Sequence, residues 1–500
     1  MYIALLITKY LKRKLAPMFA ALAVTLCTAM VIIVISVMGG FLNMMRQAAQ
    51  TLTGQVTIFS GPTGFAGHQE IAKRLLAEPD IEATAPLLRS YGLINIKIHE
   101  TTRTVEVVGI EPASFNTVTS YESSLYWTNQ HFLDIWKKQY PTSGEMSPTL
   151  KQRFDDIKKQ YENLDLDEAG MTFNIPSIWE DEQIKQGCVL GIAVDQWNTR
   201  DTEGKYNVSN SAIGTPVIIT VLPLTLGGSF QSLSPAKAQF TLVNEFKSGL
   251  YDIDANRIYV PMAQLQKMLD MDRKEVWENF DPATGEPVGK PTIKSDRVSE
   301  LMVKGKEGVP LAQVKATVER VLQGYLNEHT DTASLWIQTW EERHSTLLGA
   351  VEREKGMLTI LFAIISLVAV VMIAVIFYMI VQQKTKDIGT LRAIGASRKG
   401  IAGIFLGYGL AVGIIGSMLG LALAASIVLN LNEIQDLLYQ WFGFKMWNPQ
   451  IYYFDRIPSE LDHTEVTVIV VCAILSSVIG AIVPAIRAAI QDPVESLRYE

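Results

Sequence analysis

Three cysteines in 500 residues are too few for a disulfide framework: Cys27 and Cys472 fall inside apolar runs and leave Cys188 alone outside them, so the chain must stand on its core. Charge is missing from the interiors of those runs, which excludes an ion-coupled carrier, whose pathway needs ionisable groups. The six histidines (His68, His99, His131, His329, His344, His463) never reach metal-ligand spacing with one another or with cysteine, and no zinc or iron site is expected. A phosphate-binding loop is also lacking. The nearest match, Gly285-Glu-Pro-Val-Gly-Lys-Pro-Thr292, is one residue short between its glycines and puts Pro291 where the Ser/Thr metal ligand belongs. With no Gly-x-Ser-x-Gly elbow either, the chain is expected to be non-catalytic.

What is present is apolar length. Hydrophobic residues make up 48% of the chain and its mean hydropathy is +0.17, too apolar for a soluble two-domain protein and too polar for a chain that is all membrane. Four nearly uncharged runs carry the excess: Pro17 to Gly40, Gly356 to Val381, Ile401 to Leu429 and Val466 to Pro484. Each is long enough to cross a hydrocarbon core of roughly 30 Å at about 1.5 Å per residue. The first run is too long for the roughly 7–15-residue core of a secretory signal and lacks a small-x-small cleavage pattern, so it reads as an uncleaved anchor. Cationic flanks set the orientation. Lys9, Lys12, Arg13 and Lys14 in the amphipathic segment 1–16, five Lys/Arg in 382–400 and Arg487 and Arg498 in the tail 485–500 place both ends in the cytoplasm, with segments 41–355 and 430–465 outside.

Segment 41–355, about 310 residues, is long enough for two packed subdomains. Strand patterns recur at Gly54–Phe59, Tyr91–Ile98, Thr104–Glu111, Cys188–Val194, Pro216–Leu222, Ala238–Val243, Arg257–Pro261 and Val298–Lys304, with helical patterns at Gln69–Leu76 and Leu311–Leu326. An α+β domain is therefore predicted between the first and second of four transmembrane helices. Two stretches read as insertions: Ser123–Gln186, whose Tyr126, Trp127, Phe132, Trp136, Tyr140, Phe154, Phe173 and Trp179 could pack as a separate helical layer, and Asp270–Asp296, a surface loop. From about Ser334 the pattern turns helical and runs into the second span.

The connection between the second and third spans is the most informative segment. Ile388, Leu391 and Ile394 recur every third residue as one apolar stripe, with Lys386, Asp387 and Arg392 off it; Gly395 suits a helix end, and Ser397 a cap for the third span. A short helix is predicted whose stripe enters a groove on a partner while Asp387 and Arg392 bond at the rim. The alternative is a tight, basic, glycine-stopped connection with no docking role. Gly403, Gly407, Gly409, Gly413, Gly416 and Gly420 give the third span a small-residue face for close packing, against the first or fourth span of the same chain or, in the other reading, against a second subunit.

Several stretches resemble one family. Val34-Ile-Ser-Val-Met-Gly-Gly-Phe41 with Gly54-Gln-Val-Thr-Ile58, Val107-Val-Gly-Ile-Glu-Pro112, Phe240 to Asp254, Asp387-Ile-Gly-Thr-Leu-Arg-Ala-Ile-Gly-Ala-Ser397 and the Pro484 to Arg498 tail look like the lipoprotein-releasing ABC permeases of LolC/LolE type. The connection and the tail are shared with the wider MacB/FtsX superfamily of type VII ABC transporters. Lys386-Asp387 stands where that family usually has an Arg and a Glu, which keeps the charge signs.

The resemblance implies an inner-membrane permease subunit with a periplasmic domain, paired with a second permease chain and driven by a separate ABC ATPase dimer. ATP and Mg belong to that partner; no cofactor is bound by this chain and no nucleic acid is involved. It also implies release of lipoproteins to a periplasmic carrier. Val34, Met38, Phe41 and Leu42 with Leu358, Leu361, Phe362 and Ile365 would then line a cleft for acyl chains, against ordinary packing or contact with membrane lipids as the plain alternative. Leu224, Leu226, Phe230 and Leu233, at the tip of the hairpin between Pro216–Leu222 and Ala238–Val243, would meet the carrier. An FtsX-type scaffold controlling a cell-wall hydrolase and a MacB-like efflux permease remain the alternatives.

Overall fold

A computed structural model of the chain describes residues 15–96, 101–128, 165–176, 186–195, 198–200, 206–207, 213–223, 235–276, 291–329, 334–443 and 456–492. The principal helices are α1 (Leu15–Thr51), α2 (His68–Leu76), α3 (Leu311–Glu328), α4 (Ser345–Gln383), α5 (Thr385–Ala393), α6 (Arg398–Leu429), α7 (Leu431–Phe442) and α8 (His463–Ile490). The principal strands are β1 (Val56–Phe59), β2 (Ile81–Ile96), β3 (Thr101–Ile110), β4 (Gly187–Gly191), β5 (Pro216–Val221), β6 (Ala236–Phe246), β7 (Arg257–Pro261), β8 (Glu300–Gly305) and β9 (Trp336–Thr339). The described residues divide into a mixed unit, within Met45–Ser345, and a helical unit formed by the remainder.

In the mixed unit the nine strands run β9-β1-β8-β2-β3-β7-β4-β6-β5, and β5 returns to pair with Gly92–Ile96 of β2. This order resolves the two expected subdomains. The first is a split βαβ arrangement: β1-α2-β2 and β8-α3-β9 interleave as an antiparallel β9-β1-β8-β2 sheet, with α2 and α3 packed together. The second is a closed ring of β2, β3, β7, β4, β6 and β5. Strand β2 serves both: Ile81–Leu87 pairs with β8, and Leu87–Ile96 pairs with β3.

Alternation along the strands produces two cores. Val107, Leu190, Leu242, Ile258 and Leu301 lie in one; their neighbours Val108, Val189, Val243, Tyr259 and Met302 lie in the other. Period-two side chains thus bury both faces of the sheet. The second core is closed by Phe115, Tyr121, Phe246 and Tyr259, whose ring centroids lie 4.8–5.5 Å apart. Where β2 passes between the subdomains, five charges on five elements meet. Arg89 Nε is 2.8 Å from Glu300 Oε1 and also bonds Glu106; Arg257 Nε lies 2.6 Å from Glu106, and Arg343 Nη2 lies 2.8 Å from Glu300. Burial alone would raise both carboxyls. The guanidinium groups outweigh it, holding Glu106 below the carboxylate range and Glu300 at about 2.

Several sequence expectations are corrected. Helix does not begin at Ser334: β9 comes first because its residues complete the ladder on β1, and a capping box at Thr339 and Glu342 then starts a four-residue turn of helix ahead of α4. Trp127 and Phe173 enter the cores of the mixed unit instead of a separate layer; Phe132, Trp136, Tyr140, Phe154 and Trp179 lie outside the described residues. The Asp270–Asp296 stretch contains a small hairpin, Lys274–Val276 with Thr292–Lys294.

Among the described residues, four helices are long and apolar enough to cross a membrane: Met18–Arg46, Leu348–Gln383, Arg398–Leu429 and His463–Ile490. Pro484, expected to end the fourth, sits inside α8, as neighbouring helices allow in a membrane bundle. The expected loop 430–465 opens with α7, where exposed Leu437, Tyr439, Trp441 and Phe442 follow directly on the end of α6. Segment 1–14 and the tail from 493 lie outside the described residues.

Candidate functional site

The connection between α4 and α6 folds as the short helix α5, and its caps are those expected. Gly395 takes a φ of +104° beyond its end, and Ser397 accepts a hydrogen bond from the Gly400 N–H at 3.1 Å to start α6. The apolar stripe behaves differently. Ile388 is buried against Val381, Ile401, Phe405, Ala485 and Ala488 of its own bundle, Leu391 is half-buried, and Ile394 is 81% exposed.

Helix geometry explains the divergence. A three-residue step turns about 60° short of a full circle, so two such steps carry Ile394 about 120° from Ile388. The side chains expected at a partner's rim are also engaged within the chain: Arg392 donates to the Ala489 carbonyl at 2.7 Å, and Asp387 pairs with Lys384 at 2.6 Å. The connection is thereby held to the bundle on one side. It presents Ile394, Lys386, Gly395, Ser397, Arg398 and Lys399 on the other, all exposed.

The third-span glycines split between two neighbours. A Cβ on Gly409 or Gly413 would come 2.6–2.9 Å from Ala481 and Ser477 of α8, and one on Gly416 or Gly420 would come 2.7–2.9 Å from α1 at Val24, Thr25 and Thr28. Hydroxyls use the room so created: Ser477 donates to the Gly409 carbonyl at 2.8 Å and Thr25 to the Gly416 carbonyl at 3.1 Å. Gly407 is half-buried, whereas Gly403 is exposed with nothing within 4 Å and takes no part in the seam. Replacing Gly416→Leu is expected to lower the thermal midpoint of the full chain through overpacking of about 1–3 kcal/mol; Gly403→Leu should leave it unchanged.

The Met-Gly-Gly-Phe motif has a related cause. A Cβ on Gly40 would lie 2.7 Å from the Ser459 nitrogen, because the segment leading into α8 crosses α1 there and the Glu460 N–H bonds the Ser36 carbonyl at 3.1 Å. Nearby, the residues expected to form an acyl cleft disperse. Leu42 is buried, Leu361 is exposed, and Val34, Met38, Phe41, Leu358 and Ile365 are half-buried. Only Phe362 of that set lines the cavity the helices do form, about 690 Å³ between α1, α4 and α8. The cavity-facing residues of α1 are Val24, Cys27, Thr28, Val31 and Ile35; Met38 and Leu42 continue that helical face past the end of the cavity, and Val34 and Phe41 lie on the face beside it.

Within the mixed unit, the Phe240–Asp254 stretch proves to be a structural clasp. Asn244 bonds the Trp127 backbone and the Leu166 carbonyl, while Glu245 accepts from Trp127 Nε1 at 2.8 Å and Asn198 Nδ2 at 2.7 Å, so the segments around Trp127, Leu166 and Asn198 are all tied to β6. Burial pushes the Glu245 carboxyl up to about 8. Asp254 accepts from the N–H and hydroxyl of Ser248, both at 2.7 Å, fixing the turn after β6. The base of the predicted hairpin is the β5–β6 ladder. Its tip residues Leu224, Leu226, Phe230 and Leu233 lie outside the described residues.

Residues 359–493, which hold most of α4 together with α5, α6, α7 and α8, match the family of the FtsX-like permease C-terminal domain. The chain is also similar to the lipoprotein-releasing permeases, as its motifs implied. The lipoprotein-releasing system transmembrane protein LolC of Neisseria meningitidis serogroup B is 25% identical over 291 residues, 58% of this chain and 63% of that protein. LolC of Xylella fastidiosa is 30% identical over 164 residues, 33% of this chain and 40% of that protein. A macrolide export ATP-binding/permease protein, MacB of Bordetella avium, is 25% identical over 233 residues, 46% of this chain and 31% of that one. The chain spans less than two thirds of the length of these relatives.

Proposed function

We propose that this chain is the permease subunit of an ATP-driven transporter that releases lipid-anchored proteins from the inner membrane to a periplasmic carrier. ATP hydrolysis occurs in a separate ABC ATPase dimer at the cytoplasmic face. A second permease chain completes the assembly, and the mixed unit lies in the periplasm with both termini in the cytoplasm. The observation that carries this reading is α5 and its flanks, an apolar side chain ringed by exposed cations on an element fastened to the bundle by Ile388 and Arg392. A nucleotide-driven push on such an element moves the bundle instead of bending a loop.

The tip at Leu224, Leu226, Phe230 and Leu233 is the proposed carrier contact. Similarity to LolC supports lipoprotein as cargo. Purification from native membranes, with mass spectrometry of the chains and lipids that copurify, tests the assignment. An ATPase with acylated protein is the expected result; a cell-wall hydrolase in their place would make the chain an FtsX-type scaffold.

A further inference from the structure

The cavity between α1, α4 and α8 is lined mainly by apolar side chains, including Val31, Phe362 and Ile469, with hydroxyl groups such as Ser366 and Ser476 interspersed. Its volume of about 690 Å³ falls in the range of roughly 300–1,000 Å³ typical of small-molecule sites. On α4 the lining runs from Thr359 to Ile373, about 20 Å at the helical rise, longer than the roughly 15 Å that one leaflet contributes to the hydrocarbon core. Exposed Leu367 and Val468 stand at its edge, so it opens sideways to the surroundings of the bundle.

One end of this apolar slot is charged. Lys355 and Glu465 both line it, the first just ahead of the apolar run of α4 and the second in the first turn of α8, and Lys355 Nζ lies 2.5 Å from Glu465 Oε1. The pair is reachable, with side-chain exposures of 24% and 36%.

We propose that the slot binds one alkyl chain of a zwitterionic glycerophospholipid carrying a primary amine, a phosphatidylethanolamine, with its phosphate on Lys355 and its ammonium on Glu465. The exchange conserves charge, since one ion pair opens and two charge-assisted pairs form. Other lipids satisfy only part of the arrangement. A phosphatidylglycerol sets a phosphate beside Glu465 and offers no cation. A quaternary ammonium cannot donate a hydrogen bond to the carboxylate. A diacylglycerol brings neither charge, and an N-acylated lipopeptide has no phosphate and no ammonium at its acylated end, so the existing pair stays closed. The occupant is thus a lipid of the bilayer and not the cargo, and the inference stands independently of the release function because it requires no ATPase, carrier or second permease.

The test uses the purified full-length chain in phosphatidylcholine vesicles doped with a phosphatidylethanolamine whose acyl chain bears a diazirine. Irradiation should place adducts on peptides containing Cys27, Phe362 and Cys472. Unlabelled phosphatidylethanolamine should suppress them at about tenfold lower concentration than phosphatidylglycerol or phosphatidylcholine, equivalent to about 1.4 kcal/mol. Lys355→Gln and Glu465→Gln should erase that preference, and Ala473→Phe should remove the adducts by filling the slot. The competition series on the unaltered chain needs no variant to fold. Equal competition by all three phospholipids, adducts confined to other surfaces, or stronger competition by a triacylated lipopeptide would overturn the assignment, the last by making the slot a cargo site.

Discussion

Ile394→Asp is expected to leave the bundle assembled and to cut capture of the ATPase dimer at least tenfold, with loss of nucleotide-dependent release in reconstituted vesicles. Burying an isoleucine side chain in a partner's groove contributes about 1.5–3 kcal/mol, a factor of roughly ten to a hundred in affinity, and a carboxylate there adds a desolvation penalty. With Ile394 81% exposed, nothing inside the chain loses packing. Ile388→Asp is the contrasting variant: that side chain is 3% exposed, so its effect should appear as reduced stability and yield before any measurement of coupling. Undiminished copurification of the ATPase with Ile394→Asp would move the docking surface elsewhere.

The second large effect concerns the five-charge network of the mixed unit. Arg89→Ala leaves Glu106 and Glu300 buried with fewer partners, which is expected to cost about 3–5 kcal/mol. Thermal unfolding of the full chain, followed by tryptophan fluorescence, should show the mixed unit melting well below its usual midpoint. The same network predicts an acid limb. Glu300 titrates at about 2 in the folded chain and near 4.3 when unfolded, so its contribution, on the order of 3 kcal/mol, is complete above about pH 4.5 and lost as pH falls toward 2. Glu300→Gln should flatten that limb; an unchanged pH profile would show that the carboxylate is not held as the geometry requires.

Patterning in the sequence reveals most strands, because alternation survives even where both faces are buried. It conceals the first half of β2, where Pro86 argues against a strand. Residues 81–86 pair with β8 alone, and that local edge tolerates a residue with no N–H to donate. β9 escapes for another reason: four residues carry too little periodicity, and pairing with β1 decides their conformation. The end of α5 and the start of α6 are legible because Gly395 and Ser397 act through their own backbone neighbours. Which of Ile388, Leu391 and Ile394 faces outward is not legible, since that depends on where α8 ends and Ala485 and Ala488 sit. The same limit applies to the expected acyl cleft, of which only Phe362 lines the cavity between α1, α4 and α8: hydrophobicity marks all faces of an apolar helix alike, and neighbours choose among them.

The sharing of β2 has an evolutionary and practical corollary. Cutting out the ring, from after Ile96 to before Glu300, would strip the Leu87–Ile96 half of β2 of its partners on β3 and β5 and leave a bare, sticky edge. The two halves therefore cannot be shuffled, grafted or expressed as interchangeable cassettes.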